Sequence, residues 1–319
     1  MRVVVSGSQG FVGKHLRRAF QARGVEVLGL DMPGSGAELE HDLGAPEFDA
    51  GALAARVGAV DGIVYMAARI TRGSSVDEAA RRNLRTIAEA PVRLLEAFHE
   101  QHGPTHLVYC STYKSYGPAL QQPIDPLRPP QRPDPHSYGS AKALAERLLA
   151  ISARRLGARY AVVRPTCIYG PGQHLHNAIP LFLKACLNKQ APVVFGTGRE
   201  VRDDVLAADL SYCLAEACLR RAEGAFHAGG ERARHVSEVA ELCCTAVAAV
   251  NGEPALVPQV APDRAPKWWL DQSFDIQRTR DLLGYSPTPL VDGLAQEARW
   301  IAAGAAPERS VDFSPVRGV

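Results

Sequence analysis

Val3-Val4-Val5-Ser6-Gly7-Ser8-Gln9-Gly10-Phe11-Val12-Gly13 is the stretch whose reading decides the fold. Val3 to Val5 read as a buried strand, Gly7 to Gly10 as a tight turn, and Phe11 onward as a helix. Its apolar face carries Phe11, Val12, Leu16, Ala19 and Phe20. Glycines let such a turn take positive φ and let a diphosphate approach the backbone, while the first helical turn presents unpaired amides and a favourable dipole. The spacing Gly-x-x-Gly-x-x-Gly differs from the Gly-x-Gly-x-x-Gly dinucleotide fingerprint, so the strand before it and the helix after it carry the reading.

The next apolar run, Val25 to Leu30, ends in Asp31, eighteen positions after Gly13. A Rossmann unit places there the acid that holds the adenosine ribose. A carboxylate repels a ribose phosphate and no arginine adjoins Asp31, so the expected cofactor is NAD, not NADP. Pro33, Gly34 and Gly36 follow, and an ordinary strand-end turn would read in a similar way.

Strands and helices alternate from there on, which predicts a parallel sheet covered on both faces. Strands are expected near Ile63–Met66, His106–Ser111 and Tyr160–Arg164, with helices near Val76–His102 and Tyr138–Leu156 between them. Pro91 predicts a kink or break in the first of these helices. Seven prolines between Pro118 and Pro135 predict a loop over the carboxyl edge of the sheet. Past Arg164 the pattern loosens: helices near Ile179–Leu187, Ala207–Arg220, Val236–Val250, Ile276–Leu283 and Leu290–Ala302, a strand near Val193–Phe195 and another ending at His227.

The expected fold class is therefore α/β, a Rossmann-type doubly wound parallel sheet with a smaller C-terminal α+β substrate-binding lobe. Residues 1–170, with a return segment about 201–228, would form the NAD-binding domain. About 171–200 and 229–303 would form the lobe, and 304–319 a tail.

At 319 residues the chain is long enough to bury a full core without metals or disulfides. Thirty-six Lys and Arg against 34 Asp and Glu point to neither a nucleic acid nor a membrane surface as partner. With no secretory leader pattern and no bilayer-length apolar run, a cytosolic protein is expected. Seven cysteines at spacings that match no zinc pattern read as reduced thiols, with no metal expected.

Tyr138 and Lys142 stand four apart at the start of a predicted helix, on a stripe continued by Ala145 and Leu149. An ammonium about 6 Å from the phenol lowers the tyrosine pKa by about two units, roughly 3 kcal/mol at an effective dielectric near 20. Tyr138 can then serve as a general base near neutral pH. Ser111-Thr112 end the strand before it, placing hydroxyls at the sheet edge where open α/β folds bind ligands. Thr112 can donate a hydrogen bond to the substrate oxygen while Tyr138 exchanges its proton.

With these residues in place the chain resembles the extended short-chain dehydrogenase/reductase superfamily, and within it the NAD-dependent nucleotide-sugar epimerase/dehydratase family. The matches run in order along nearly the whole chain: Gly7, Gly10 and Gly13; Asp31; Asp42-Leu43; Met66-Ala67-Ala68; Asn83; Ser111-Thr112 with Tyr116-Gly117; and Tyr138-Gly139-Ser140-Ala141-Lys142. Arg164-Pro165, Tyr169-Gly170-Pro171-Gly172, Gly196-Thr197-Gly198, Arg202-Asp203, Leu283-Gly284-Tyr285 and Trp300 follow.

The resemblance implies catalysis by Thr112, Tyr138 and Lys142. It implies NAD binding by Gly7, Gly10, Phe11, Val12, Gly13, Asp31, Asp42, Leu43, Ala67, Ala68, Asn83, Tyr138, Lys142 and Pro165. It also implies contact with a nucleotide-diphosphate sugar through Ser111, Thr112, Asn177, Arg202 and Arg264, and a homodimer packed through the helices Val76–His102 and Tyr138–Leu156.

Four departures concern the sugar and its nucleotide. Tyr65 stands where histidine is frequent, Cys167 and His227 where asparagine is frequent, and Arg264-Ala265-Pro266-Lys267 lacks the usual Gly-Asp. Dehydratases of this family carry an acid after the catalytic hydroxyl, whereas here Tyr113 and Lys114 follow Thr112. The expected reaction is thus epimerisation at carbon 4 of a nucleotide sugar through a transient ketone. A dehydrogenase or reductase with net redox turnover is the alternative, and a 4,6-dehydratase or a non-catalytic NAD sensor ranks below it.

Overall fold

A computed structural model of the chain describes residues 1–68, 78–117, 122–130, 137–264 and 271–304. In chain order the elements are β1 (Arg2–Ser6), α1 (Phe11–Gln21), β2 (Glu26–Asp31), β3 (Leu39–Glu40), α2 (Ala50–Val57), β4 (Gly62–Tyr65), α3 (Glu78–Leu84), α4 (Ala90–His102), β5 (His106–Cys110), α5 (Ser137–Leu156), β6 (Arg159–Pro165) and β7 (Cys167–Tyr169). There follow α6 (Ala178–Leu187), β8 (Val193–Phe195), β9 (Val201–Arg202), β10 (Asp204–Leu206), α7 (Ala207–Leu219), β11 (Gly224–Ala228), β12 (Arg234–His235), α8 (Val236–Asn251), β13 (Gln259–Ala261), α9 (Gln277–Leu283) and α10 (Leu290–Ala302).

Seven parallel strands form one sheet in the order β11-β6-β5-β4-β1-β2-β3. Successive side chains point to opposite faces, and both faces are covered. Val4, Ile63, Tyr65, Leu107 and Tyr109 pack on one side with Leu53 of α2, Leu94 of α4 and Leu149 of α5. Val3, Val5, Val64 and Val108 pack on the other with Leu16 of α1, Leu214 of α7 and Leu283 of α9. This is why the valine run reads as continuous hydrophobicity. A third apolar cluster lies apart from the sheet, where Phe182 of α6, Val239 of α8 and Leu294 of α10 enclose Val194 and Leu206. Strand order reverses between β1 and β4, the switch point where ligands of such sheets bind.

The long helix expected over Val76–His102, with a kink or break at Pro91, is interrupted just before that proline. Val76 lies outside the described residues; from Glu78 the chain runs through α3, a π-helical turn at Arg85–Glu89, and α4, with Pro91 in the first turn of α4. Proline lacks the amide that would bond the carbonyl four residues back, which is Ile87. Tyr109 donates its hydroxyl to that carbonyl instead, at 2.8 Å, and Tyr65 donates to the carbonyl of Thr86. The two buried rings stack at 6.0 Å and a 22° interplanar angle. Tyr65 is thus a structural donor here, its hydroxyl pushed well up in pKa by burial.

α2 was absent from the sequence reading; Asp49 caps it by accepting from Ala52 N at 3.0 Å. Parts of the proline-rich stretch (118–121 and 131–136) and of the tail (305–319), like Ala265-Pro266-Lys267, lie outside the described residues. Among the described residues no helix is long and apolar enough to cross a membrane, and no group of three His, Cys, Asp or Glu side chains is placed to hold a metal.

Candidate functional site

At the switch point the glycine turn is built against the backbone. Gly7 adopts φ +71°, and its amide donates to Leu30 O at 2.8 Å. A Cβ on Gly13 would sit 2.1 Å from Gly7 O, so only glycine lets α1 start this close to the turn. No side chain caps α1 at Gly10, leaving its first amides for a ligand anion, with Phe11 and Val12 in that first turn. Ser8 Oγ is buried without a hydrogen-bond partner beside this turn. On the other flank, Met66 N and Ala67 N donate to Ser6 Oγ at 3.0 and 3.1 Å, and Ala68 is exposed.

Asp31 ends β2 with Oδ2 accepting from Gln9 N and Oδ1 from Met32 N, both at 2.8 Å. Each carboxylate oxygen keeps a lone pair for a ribose hydroxyl. The following loop is acidic: Glu40 accepts from Gly34 N and Gly36 N, and Glu38 holds Arg17 in a fork at 2.6 Å. Glu38, through that bond, raises the pKa of Arg17. A ribose phosphate would meet carboxylates here. The residues present thus fit a dinucleotide with a free ribose.

The remaining expected cofactor residues divide. Asp42 accepts from Gly44 N at 3.0 Å and pairs with Arg82, while the Leu43 side chain is buried in the core. Asn83 is buried on α3, and Pro165 closes β6 at the carboxyl edge.

Thr112 follows β5, is 5% exposed, and caps the 3-10 turn Tyr113–Ser115 by accepting from Lys114 N at 3.3 Å. Accepting leaves its own hydroxyl hydrogen free to donate, so the capping role and the expected substrate contact are compatible. α5 packs against this turn. Lys142 on α5 is 1% exposed; its Nζ donates to Cys110 O at 2.6 Å and lies 4.5 Å from the ring centroid of Tyr109 and 5.9 Å from that of Tyr138. Burial pulls its pKa down to about 8.

Ser111, an expected substrate contact, donates to Glu146 Oε1 at 2.5 Å. Glu146 in turn forks Arg164, with Nη2 to Oε2 at 2.5 Å and Nε to Oε1 at 3.0 Å. Arg164 Nη1 donates to Tyr116 Oη at 2.6 Å and to Pro126 O at 2.8 Å. Tyr116 Oη meets His227 Nε2 at 2.7 Å, and His227 Nδ1 meets Asp275 O at 3.0 Å. The carbonyl can only accept, so Nδ1 carries a proton, and in the neutral imidazole Nε2 then accepts from the Tyr116 hydroxyl. Burial, with the Arg164 charge, pushes His227 down to about 3. Sequence reasoning overlooked Glu146, although it extends the Tyr138, Lys142 spacing by one more turn.

The substrate-side residues are less free than the sequence suggested. The Arg202 fork is taken by Asp204, Nε to Oδ2 at 2.7 Å with Nη2 on Oδ1, and the pair is nearly buried. Burial opposes the Arg202 charge, but Asp204 outweighs it and the guanidinium pKa is raised. β10 pairs with β7, placing Asp204 opposite Cys167, whose thiol donates to Tyr113 Oη at 3.4 Å. Asn177 precedes α6 and donates to Gln173 Oε1 at 3.4 Å; Gln173 Nε2 donates to the buried Glu297. Burial raises Glu297 to about 7. Arg264 is exposed, its guanidinium 4.3 Å from the Phe195 ring centroid.

The sequence model of the NAD dependent epimerase/dehydratase family matches residues 3–228. Among similar proteins, a dTDP-4-dehydro-6-deoxy-D-allose reductase of a Streptomyces species is 27% identical, the match covering 93% of this chain and 95% of that one. A dTDP-glucose 4,6-dehydratase of Streptomyces niveus is 30% identical (94% and 92% covered), and a UDP-glucose 4-epimerase of Azospirillum brasilense 27% (93% and 90%). Of solved structures, MoeE5 with UDP-glucuronic acid and NAD superposes with TM-score 0.76 at 26% identity, covering 95% of this chain and 100% of that one. The UDP-glucose 4-epimerase of Thermotoga maritima reaches 0.79 at 23% identity, covering 96% and 100%. With its seven-stranded Rossmann-type sheet and a dinucleotide cradle suited to NAD, the chain belongs to the NAD-dependent epimerase/dehydratase family.

Proposed function

We propose that this protein is an epimerase of a nucleotide sugar, inverting carbon 4. The observation that supports this reading is the burial of Lys142. Beyond its bond to Cys110 O, the ammonium is held in the core beside the Tyr138 ring, where its charge would stabilise a phenolate. Tyr138, held as a phenolate by the Lys142 charge, takes the proton of the C4 hydroxyl and becomes a neutral phenol, while Thr112 donates to the same oxygen. Bound NAD supplies hydride acceptance from C4 and its return to the opposite face. Tyr138 then gives its proton back, so no atom or electron is gained overall.

Neither Tyr113 nor Lys114, the two residues after Thr112, is a carboxylate, and burial pushes the Tyr113 phenol well above its ordinary range. That favours epimerisation over elimination of water, which needs a further base. The diphosphate would lie on the surface of the proposed substrate lobe, which is built around the apolar cluster of α6, α8 and α10. There Arg264 and Asn177 are exposed, and Arg202 can reach an anion only by giving up Asp204.

A second copy of the chain is the proposed partner across α5, which turns Leu144 (39% exposed) and Ile151 (67%) to solvent. Turnover tests the catalytic assignment: Tyr138→Phe is expected to lose roughly two or more decades with UDP-glucose or dTDP-glucose. Undiminished turnover in that variant would overturn it.

A further inference from the structure

Tyr138, Lys142 and Glu146 follow one another at helical spacing on the inward stripe of α5, and only the third has no part in the proton transfer described above. Glu146 is 7% exposed, and both its oxygens are held: Oε1 by Ser111 Oγ and Arg164 Nε, Oε2 by Arg164 Nη2. Arg164 is fixed in turn by Tyr116 and by the carbonyl of Pro126. The carboxylate therefore cannot swing away, and it lies one turn from the catalytic lysine. Through Ser111 it also grips the residue next to Thr112.

We propose that Glu146 is a positioning residue for the proton-transfer pair, the fixed counter-charge that keeps Lys142 an ammonium while anchoring the end of β5 that carries Thr112. The proposal rests on the reading of Tyr138 and Lys142 as the reacting pair. A buried ammonium without a carboxylate nearby sheds its proton, and an uncharged amine does nothing for a phenolate. Burial is what draws Lys142 down to about 8, with Cys110 and the charge of Glu146 acting the other way.

Cys110 and Tyr109 of β5 and Tyr138 of α5 face the ammonium; Arg164 and Tyr160 of β6 and Tyr116 face Glu146. Glu96 of α4, which also packs on α5, is engaged by Ser152 and Arg155 at the far end of the helix. Glu146 is the carboxylate among these that acts on Lys142.

The test is an ultraviolet titration of phenolate in the NAD-loaded protein, with the Tyr138 signal identified by its loss in Tyr138→Phe, alongside the pH profile of kcat. Glu146→Gln is expected to raise the phenolate midpoint and the rising limb of kcat by about one pH unit. Turnover at neutral pH then falls about tenfold with KM little changed, and Glu146→Asp restores most of both. Because Glu146→Gln strands the buried Arg164 charge, the double variant Glu146→Gln/Arg164→Gln accompanies it, and a smaller shift in the same direction is expected there, since a positive charge leaves with the negative one. Midpoints that overlay the wild type in either folded variant would overturn the proposal while leaving Tyr138 its role. A wild-type phenolate signal untouched by Tyr138→Phe would overturn both.

Discussion

Arg202, which on the proposed reading meets the diphosphate, has its guanidinium already forked by Asp204. An incoming diphosphate must compete with that carboxylate at close range, so the arginine gains little from its charge. Asp204→Asn is expected to tighten binding of UDP or dTDP about tenfold, read by calorimetry, and the gain should vanish in Arg202→Gln/Asp204→Asn. The pair illustrates what single residues in the sequence did and did not convey. Tyr138 and Lys142 were legible because four-residue spacing on a helix fixes a shared face. A carboxylate two positions from an arginine says nothing until the backbone is known to be extended there, which puts both side chains on one face. Gly13 was legible as part of the cradle; its Cβ would meet Gly7 O at 2.1 Å. Gly13→Ala is therefore expected to lose retained NAD and several degrees of thermal midpoint, measured by mass spectrometry and calorimetry.

Between elements, α10 reaches the loop before α6 through Glu297 and Gln173. Burial raises the Glu297 carboxyl from its ordinary range to about 7, so the unfolded chain ionises first as pH rises. The folded state then carries a cost that is absent below about pH 4 and grows to about 3 kcal/mol by neutral pH. Glu297→Gln removes it. The thermal midpoint of that variant minus the wild type is expected to climb between pH 5 and pH 8; a flat difference would contradict the sign. Most elements could be read from period alone, since strands buried on both faces give unbroken apolar runs and helices give stripes. A break at Pro91 could be read too, but not its π-helical form, in which two tyrosines on other strands bond the carbonyls of Thr86 and Ile87. α2 was passed over because a short run rich in alanine and glycine shows no stripe, although Asp49 marks its start.

At the scale of the whole molecule, β1, β2 and β5 end at one carboxyl edge with α5 packed against the turn after β5, and in the proposed mechanism dinucleotide cradle, hydroxyl, phenol and ammonium would share a crevice there. Leu144 and Ile151 on the outside of α5 should join a second copy, and light scattering is expected to give twice the 34.3 kDa chain mass. The same α5 would then be held from both sides, its inner stripe by the sheet and its outer stripe by the partner. Chemistry at carbon 4 is the claim on which the rest depends, and the fate of one hydrogen reads it. With UDP-glucose or dTDP-glucose deuterated at carbon 4, the account predicts an inverted sugar that keeps its deuterium at that carbon, with no NADH accumulating. Deuterium appearing in released NADH, or at another carbon of the sugar, would contradict it.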